Sequence, residues 1–195
     1  MLESLGGLMD TAAPAASVDP RRFRDAMGRF ATGITIISTP TPAGPHCMTA
    51  NGFMSVSLEP ALVVVSIAKR AKMHDLLLAS GVYGVSVLAA DQESVSKHFS
   101  GRPDRDLAPR FEDHADVPLV PGALAQVGAE IVEARPVGDH TLFVGEVRHL
   151  ADGVGEPLVF YAGRYRHLLS PSADSEYSDA WSGFCLTPFC PPSGA

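Results

Sequence analysis

Residues 62–67, Leu-Val-Val-Val-Ser-Ile, form an almost unbroken apolar run, closed by Pro60 before it and by the basic pair Lys69-Arg70 after it. A short run with no polar alternation reads as a strand buried on both faces. Such a strand is an interior element, so the rest of the chain has to supply cover for it. The whole apolar stretch, Ala61 to Ala68, is about eight residues long. That is far short of the roughly twenty needed to span a bilayer.

The neighbouring segments supply the cover. Asp19-Pro20 pairs an N-cap acid with proline at the first helical position, and Phe23, Ala26, Met27 and Phe30 follow the spacing of an amphipathic helix. Gly33 is the expected stop. Ile34 to Thr39 is β-branched almost throughout and reads as a strand ended by Pro40, Pro42, Gly44 and Pro45. Met48 to Ser57 reads as a further run of small and apolar residues. Residues 71–79 read as a short helix closed by Gly81, Val82 to Leu88 as a strand, and Asp91 as the cap of a helix carrying Val95, Lys97, His98 and Phe99. Residues 101–121, rich in Pro, Asp and Arg, read as a long loop with about one turn of helix. Leu124 to Ala134, Leu142 to Leu150, and Leu158 to Tyr161 running on to about Leu169 complete the strands. Six or more strands without regular crossover helices argue against a doubly wound parallel sheet. They favour a mainly β fold, a mostly antiparallel barrel with peripheral helices. The expected organisation is a flexible leader over 1–18, one domain over 19–169 and a tail over 170–195, with no internal repeat. Trp181, Phe184 and Phe189 are too apolar for a purely solvated tail and are expected to dock on this subunit or on a partner.

Composition narrows the function. The chain has 195 residues, 46% of them hydrophobic and 19% charged. That length suffices to bury roughly 70% of the unfolded surface, which excludes a disordered chain. A net charge of −7 and no basic run argue against nucleic acid and against acidic lipid as partners. Three cysteines, none in a Cys-x-x-Cys pair, make neither a disulfide framework nor a zinc site. The first ten residues carry acids where a signal peptide carries cations, so a soluble, cytoplasmic protein is expected.

Several chemistries are missing from the sequence. There is no Gly-x-Gly-x-x-Gly, no P-loop and no Gly-x-Ser-x-Gly elbow. The seven histidines are scattered, none paired at metal-ligand spacing, and no metal is expected. Three segments stand out instead. Gly44 to Pro60 is rich in small and hydroxyl-bearing residues that leave backbone amides open to a polar planar ligand, although an edge strand and turn have the same composition. Ser66-Ile67-Ala68-Lys69-Arg70-Ala71-Lys72 runs from a strand end through three cations into a helix N-terminus, which suits an anionic group such as phosphate but also suits a solvated turn. Gly138-Asp139-His140 carries an imidazole in a turn that is equally readable as a hairpin connection.

Taken in order, Asp19-Pro20, Phe23, Phe30-Ala31-Thr32-Gly33-Ile34-Thr35, Thr49-Ala50-Asn51-Gly52-Phe53-Met54-Ser55-Val56-Ser57-Leu58-Glu59-Pro60, Gly138-Asp139-His140 and Phe160-Tyr161-Ala162-Gly163-Arg164-Tyr165 resemble the short-chain flavin reductase family. These are the reductase components of two-component flavin-dependent monooxygenases. The similarity runs from about Asp19 to Leu169. It implies an FMN-binding split β-barrel of Greek-key type, paired as a homodimer. It also implies NADH-dependent reduction of FAD or FMN, with NADPH as the alternative donor, and delivery of reduced flavin to a separate oxygenase. By the same resemblance the flavin meets Pro45, His46, Cys47, Met48 and Thr49 and then Asn51-Gly52. Ser66-Ile67-Ala68 and Lys72-Met73 lie along its ribityl and phosphate portion, and His98-Phe99 also contacts it. Gly138-Asp139-His140 matches the nicotinamide-side motif, with His140 as the catalytic candidate, and Arg164 and Tyr165 are assigned to the same nucleotide. The cofactor carries the reactivity in such chemistry and the protein orients it. The alternative from another class is a flavin-binding electron carrier with the same barrel and no productive NAD(P)H turnover.

Overall fold

The apolar run is a strand, Ala61–Ala68, and its alternate residues Val63, Val65 and Ile67 are the centre of the main core, packed with Tyr83, Val85 and Phe143. The computed structural model describes residues 18–168; the leader and residues 169–195, with Trp181, Phe184 and Phe189, lie outside the described residues. In chain order the strands are β1 (Thr32–Gly33), β2 (Thr35–Thr39), β3 (His46–Ala50), β4 (Phe53–Leu58), β5 (Ala61–Ala68), β6 (Val82–Val87), β7 (Glu112–His114), β8 (Val117–Leu119), β9 (Ala125–Val137), β10 (His140–Asp152), β11 (Val159–Tyr161) and β12 (Arg164–Arg166). The helices are α1 (Pro20–Met27), α2 (Lys72–Ser80) and α3 (Glu93–Phe99).

Seven strands form one antiparallel sheet in the order β3-β2-β6-β9-β10-β5-β4. Its two edges, β3 and β4, are joined in sequence by Asn51-Gly52 alone. Laid flat, seven strands would hold their edges about 29 Å apart at the usual spacing of roughly 4.8 Å. Ala50 and Phe53 are three Cα steps apart, at most about 11 Å. The sheet must therefore curl into a barrel left open between β3 and β4, and the Gly52 carbonyl, which accepts from Ser66 N at 2.9 Å, extends the β4–β5 ladder to the start of that opening. The fold is mainly β, an antiparallel split barrel with peripheral helices, as the strand tally implies.

Close approaches are kept by small residues. A Cβ on Gly145 of β10 would lie 2.6 Å from the Tyr83 hydroxyl, which donates to the Val63 carbonyl at 3.1 Å inside the barrel. A Cβ on Gly84 would meet Ser38 Oγ at 2.5 Å.

Several elements depart from the periodicity. Helix α1 is capped by Asp19, whose Oδ1 accepts from Arg22 N at 2.8 Å, but it ends at Gly28 and not at Gly33. The Gly28 carbonyl accepts from Ala162 N at 2.8 Å, which ties the chain to the β11–β12 turn before it enters β1. Met48 to Ser57 is two strands, broken at Asn51-Gly52. The N-cap position expected of Asp91 falls to Gln92, which makes no side-chain cap bond to α3; its side chain accepts from Ala89 N and donates to the Pro121 carbonyl. The loop 101–121 holds a hairpin, β7–β8, where a helical turn was expected, because Ala115 and Asp116 both take positive φ. The stretch from Leu158 is likewise a hairpin, since Ala162 (φ 50°) and Gly163 (φ 78°) turn the chain back.

Candidate functional site

The two faces of β5 and β10 divide the work. Side chains alternate along a strand, and partners in register share a face. Val65 and Ile67 of β5, with Thr141 and Phe143 of β10, point into the core; Val64, Ser66 and Ala68, with Leu142 and His140, lie on the opposite, outer face. The expectation of a strand buried on both faces therefore holds fully for the inner face and in part for the outer one. Val64 is buried there, but Leu62 and Ser66 are half-buried, and Val64 and Ser66 form part of the floor of a groove.

That groove has a volume of about 1300 Å³. Its walls include Met27, Phe30, Phe53, Met54, Leu142 and Phe160, and its backbone-rich side is Asn51-Gly52. The approach is close there: a Cβ on Gly52 would sit 3.3 Å from Ser66 Cβ. Thr32 Oγ1, buried at the wall, has no hydrogen-bond partner. Phe23 and Met27 of α1 and Phe30 just beyond it are 57%, 55% and 77% exposed among the described residues.

A second cavity of about 320 Å³ shares Asn51, Phe160 and Gly163 with the groove, so the two adjoin. Besides the apolar Ile34 and Ala50, its walls carry polar and cationic groups: Thr49, Ser96, Lys97, Ser100, Arg102 and Tyr165. Three elements are latched around it. Thr49 Oγ1 on β3 donates to the Ser96 carbonyl on α3 at 2.6 Å, and Ser96 Oγ lies 2.9 Å from the Tyr165 hydroxyl on β12. The Lys97 ammonium sits 5.7 Å from the centre of the Tyr165 ring, near enough for a cation–π contact. An apolar groove beside a pocket that carries hydroxyls and cations matches a ligand with a flat aromatic part and an anionic, hydroxyl-rich part.

At the far end of the same outer face stands the Gly138-Asp139 turn. Gly138 takes φ 56° at the first position of a two-residue connection between β9 and β10. Asp139 Oδ1 lies 2.7 Å from His140 Nδ1. The Asp139 carboxyl is held below its ordinary value, first by that hydrogen bond and then by the charge of His140. His140 is two residues along β10 from Leu142, which lines the groove, and faces the same way.

A family model described as "Flavin reductase like domain" matches residues 27–169. The chain belongs to the flavin reductase-like family. An NADH-dependent flavin reductase of a Rhodococcus species is 48% identical over 154 residues, covering 77% of this chain and 88% of that protein. The reductase component of 4-hydroxyphenylacetate 3-monooxygenase from Thermus thermophilus is 39% identical over 151 residues, covering 77% and 97%. The solved structure of flavin reductase PheA2 superposes with a TM-score of 0.76 at 43% identity, covering 78% of this chain and 99% of that one.

Within this flavin reductase-like frame, the residues singled out from sequence fall into separate places. Thr49, Asn51 and Tyr165 meet at the smaller cavity, and Asn51, Gly52 and Ser66 at the groove. Gly138, Asp139, His140 and Ala68 gather at the end of the outer face. The remaining candidates line neither cavity. Ile67 and Met73 are fully buried in the core, and Met48 packs against it. Cys47 packs against the second core cluster, and burial pushes its thiol up to about 12, which makes it a packing group and not a nucleophile. Pro45 is an exposed turn residue, and Arg164 is exposed on β12. His46 and Lys72 lie near each other: His46 is held below its ordinary value by burial and, after that, by the Lys72 charge. Phe99 packs on Phe111, and His98 Nδ1 accepts from Asp104 N at 3.2 Å.

The sequence reading missed Ser96, Lys97, Ser100 and Arg102. Ser96 and Ser100 are spaced four apart on α3 and its cap, so they share a helix face with Lys97 beside them. That spacing was the available signal. Among the described residues no group of His, Cys, Asp or Glu is arranged to hold a metal ion, and no helix is long and apolar enough to cross a membrane.

Proposed function

We propose that this protein is an NADH-dependent flavin reductase that supplies reduced FAD or FMN to a separate oxygenase component in the cytoplasm, and that it works as a homodimer. The observation that carries the reading is an apolar groove that adjoins a cationic cavity at Asn51, Phe160 and Gly163, the groove lying on the sheet face that also presents His140. The family relatives named as an NADH-dependent flavin reductase and as a monooxygenase reductase component support the donor and the downstream partner.

The residues fit a flavin. The flat ring suits the groove between Phe160 and the Asn51-Gly52 backbone, where Gly52 leaves room for close approach. The phosphate-bearing end suits the cavity, where Arg102 supplies charge and Lys97 adds its own on exchanging its ion pair with Glu93 for the phosphate. Tyr165 lines this cavity, which supports a role at the flavin end beside the nicotinamide role that the resemblance implies. When bound, the flavin supplies the hydride-accepting chemistry for reduction by NADH. The protein contributes proximity, worth up to roughly 7–11 kcal/mol in well-oriented reactions. His140, its Nδ1 engaged by Asp139, offers Nε2 to the nicotinamide amide or pyrophosphate. The exposed stripe of Phe23, Met27 and Phe30 beside the groove supports a second copy packing there.

The test is NADH oxidation in air with added FAD, with FMN and with neither. Turnover that depends on added flavin is expected. A protein that binds flavin but oxidises neither NADH nor NADPH would be an electron carrier instead. Size-exclusion chromatography with light scattering tests the dimer.

A further inference from the structure

The β9–β10 hairpin outruns the sheet that supports it. Strand β9 pairs with β6 only as far as Glu130 opposite Val82, after which the Ile131 N–H bonds to the Gly81 carbonyl. Its last residues therefore form an edge, and Pro136, opposite Thr141, has no N–H to give to any ladder. The tip that carries His140 is thus held from one side only, by β5, whose pairing ends at Ala68 opposite His140. An end like this opens readily unless something ties it down.

Lys69, the residue after β5, supplies the tie twice. Its backbone N–H donates to the Asp139 carbonyl at 2.9 Å, and its ammonium donates to the Gly138 carbonyl at 2.7 Å. Both carbonyls of the two-residue turn are thereby taken by one residue. Asp139 is in turn bonded through its carboxylate to His140 Nδ1. We propose that Lys69 is a positioning residue for NADH: its side chain staples the Gly138-Asp139 turn so that Asp139 holds the His140 imidazole with Nε2 directed to the nicotinamide nucleotide. This rests on the reading of His140 as the nicotinamide-side group. The ammonium is engaged with the turn carbonyl, so it acts through His140 and not by meeting a phosphate itself. Removing the side-chain bond leaves the backbone bond from Lys69 N in place, so the barrel is expected to fold unchanged.

The experiment compares Lys69→Met, Lys69→Arg, His140→Ala and the double variant Lys69→Met/His140→Ala. Lys69→Met should raise the KM for NADH roughly threefold to tenfold, the range a single net hydrogen bond represents, and more than it lowers kcat. Lys69→Arg should restore it. The double variant should match His140→Ala alone, because a residue acting through His140 has nothing left to act on. Additive effects would show that Lys69 meets the nucleotide directly and would overturn the proposal. So would an unchanged KM in Lys69→Met beside a raised one in His140→Ala. The imidazole carbon–proton NMR spectrum decides the staple independently of turnover: the His140 signal, identified by its loss in His140→Ala, should move in Lys69→Met and stay in place in Lys69→Arg. An unmoved His140 signal in Lys69→Met overturns the proposal. If His140→Ala leaves NADH kinetics unaltered, the reading of His140 fails, and the same spectrum still shows whether Lys69 holds the ring.

Discussion

Asp139 and His140 are neighbours in sequence whose side chains bond each other, Oδ1 to Nδ1 at 2.7 Å, across the start of β10. The turn makes this possible: Gly138 takes up the positive φ, and Asp139 then stands beside the ring that it orients. With Nδ1 engaged, Nε2 is the nitrogen left for a ligand. His140→Ala is expected to raise the KM for NADH, with flavin affinity, read by fluorescence quenching, within twofold of wild type. Asp139→Asn keeps the shape and weakens the bond, so its effect on KM should be smaller and in the same direction. The Asp139 carboxyl is depressed, so the pair is complete above the ordinary carboxylate value of about 3.9 and is lost only as pH falls through the lower folded value. NADH KM should therefore show no titration from Asp139 between pH 5 and 8, measurable as a difference between wild type and Asp139→Asn (roughly constant across that range).

His46 gives the opposite pH behaviour. Its imidazole is held below the ordinary value of about 6.5, first by burial and then by Lys72, so the folded protein resists a proton that the unfolded chain accepts. The sign follows: no penalty above pH 6.5, a growing loss of stability as pH falls through it, and no further loss once folded His46 is itself protonated. Urea midpoints for wild type should fall between about pH 7.5 and 5.5 more than those of His46→Gln. Lys72→Met should remove part of the difference. Equal pH dependence in wild type and His46→Gln would contradict the assignment.

The turn between β11 and β12 asks for positive φ at two residues and receives Ala162 followed by Gly163. An alanine in the left-handed region costs roughly 1–2 kcal/mol, and a two-residue turn of this kind prefers Asn-Gly. The Ala162 N–H is engaged with the Gly28 carbonyl, so the backbone is held in this conformation whatever the side chain. Ala162→Asn is expected to stabilise the protein by about 0.5–1 kcal/mol, seen as a rise in Tm of a few degrees. A fall in Tm would mean that the turn is not of this type.

The same turn shows where the sequence was legible and where it was not. The apolar run 62–67, the β-branched segment before Pro40 and the Gly81 stop of α2 are local signals, and each element stands where its pattern puts it. The breaks are less local. Asn51-Gly52 divides a run with continuous strand character because it must carry the chain from one sheet edge to the other, a demand set by the curl of the whole sheet. Ala162 carries no turn signature, and its conformation is fixed by Gly28, more than a hundred residues earlier in the chain. The site divides in the same way. The Gly138-Asp139-His140 turn is readable because its chemistry and its conformation sit in three consecutive residues. The cavity at α3 is not, since Thr49, Ser96 and Tyr165 come from three distant segments that only the fold brings together.

That latch supplies the last prediction. The Tyr165 hydroxyl bonds Ser96 Oγ at 2.9 Å, and Ser96 in turn receives Thr49 Oγ1 through its carbonyl, so β12, α3 and β3 hold one wall of the smaller cavity between them. Tyr165→Phe keeps the ring, its edge-on contact with Phe160 at 5.6 Å and its place beside Lys97, and removes only the hydroxyl. The loss is one hydrogen bond, worth about 0.5–1.5 kcal/mol net, so the KM for flavin should rise roughly threefold to tenfold. If Tyr165 belongs to the flavin end, the KM for NADH at saturating flavin stays near the wild-type value, whereas in His140→Ala the two constants respond the other way round. A Tyr165→Phe variant that raises the KM for NADH and spares flavin would instead place Tyr165 with His140 on the nicotinamide side, as the sequence resemblance implied. Steady-state kinetics with each substrate varied in turn, on these two variants, separates the two ends of the site.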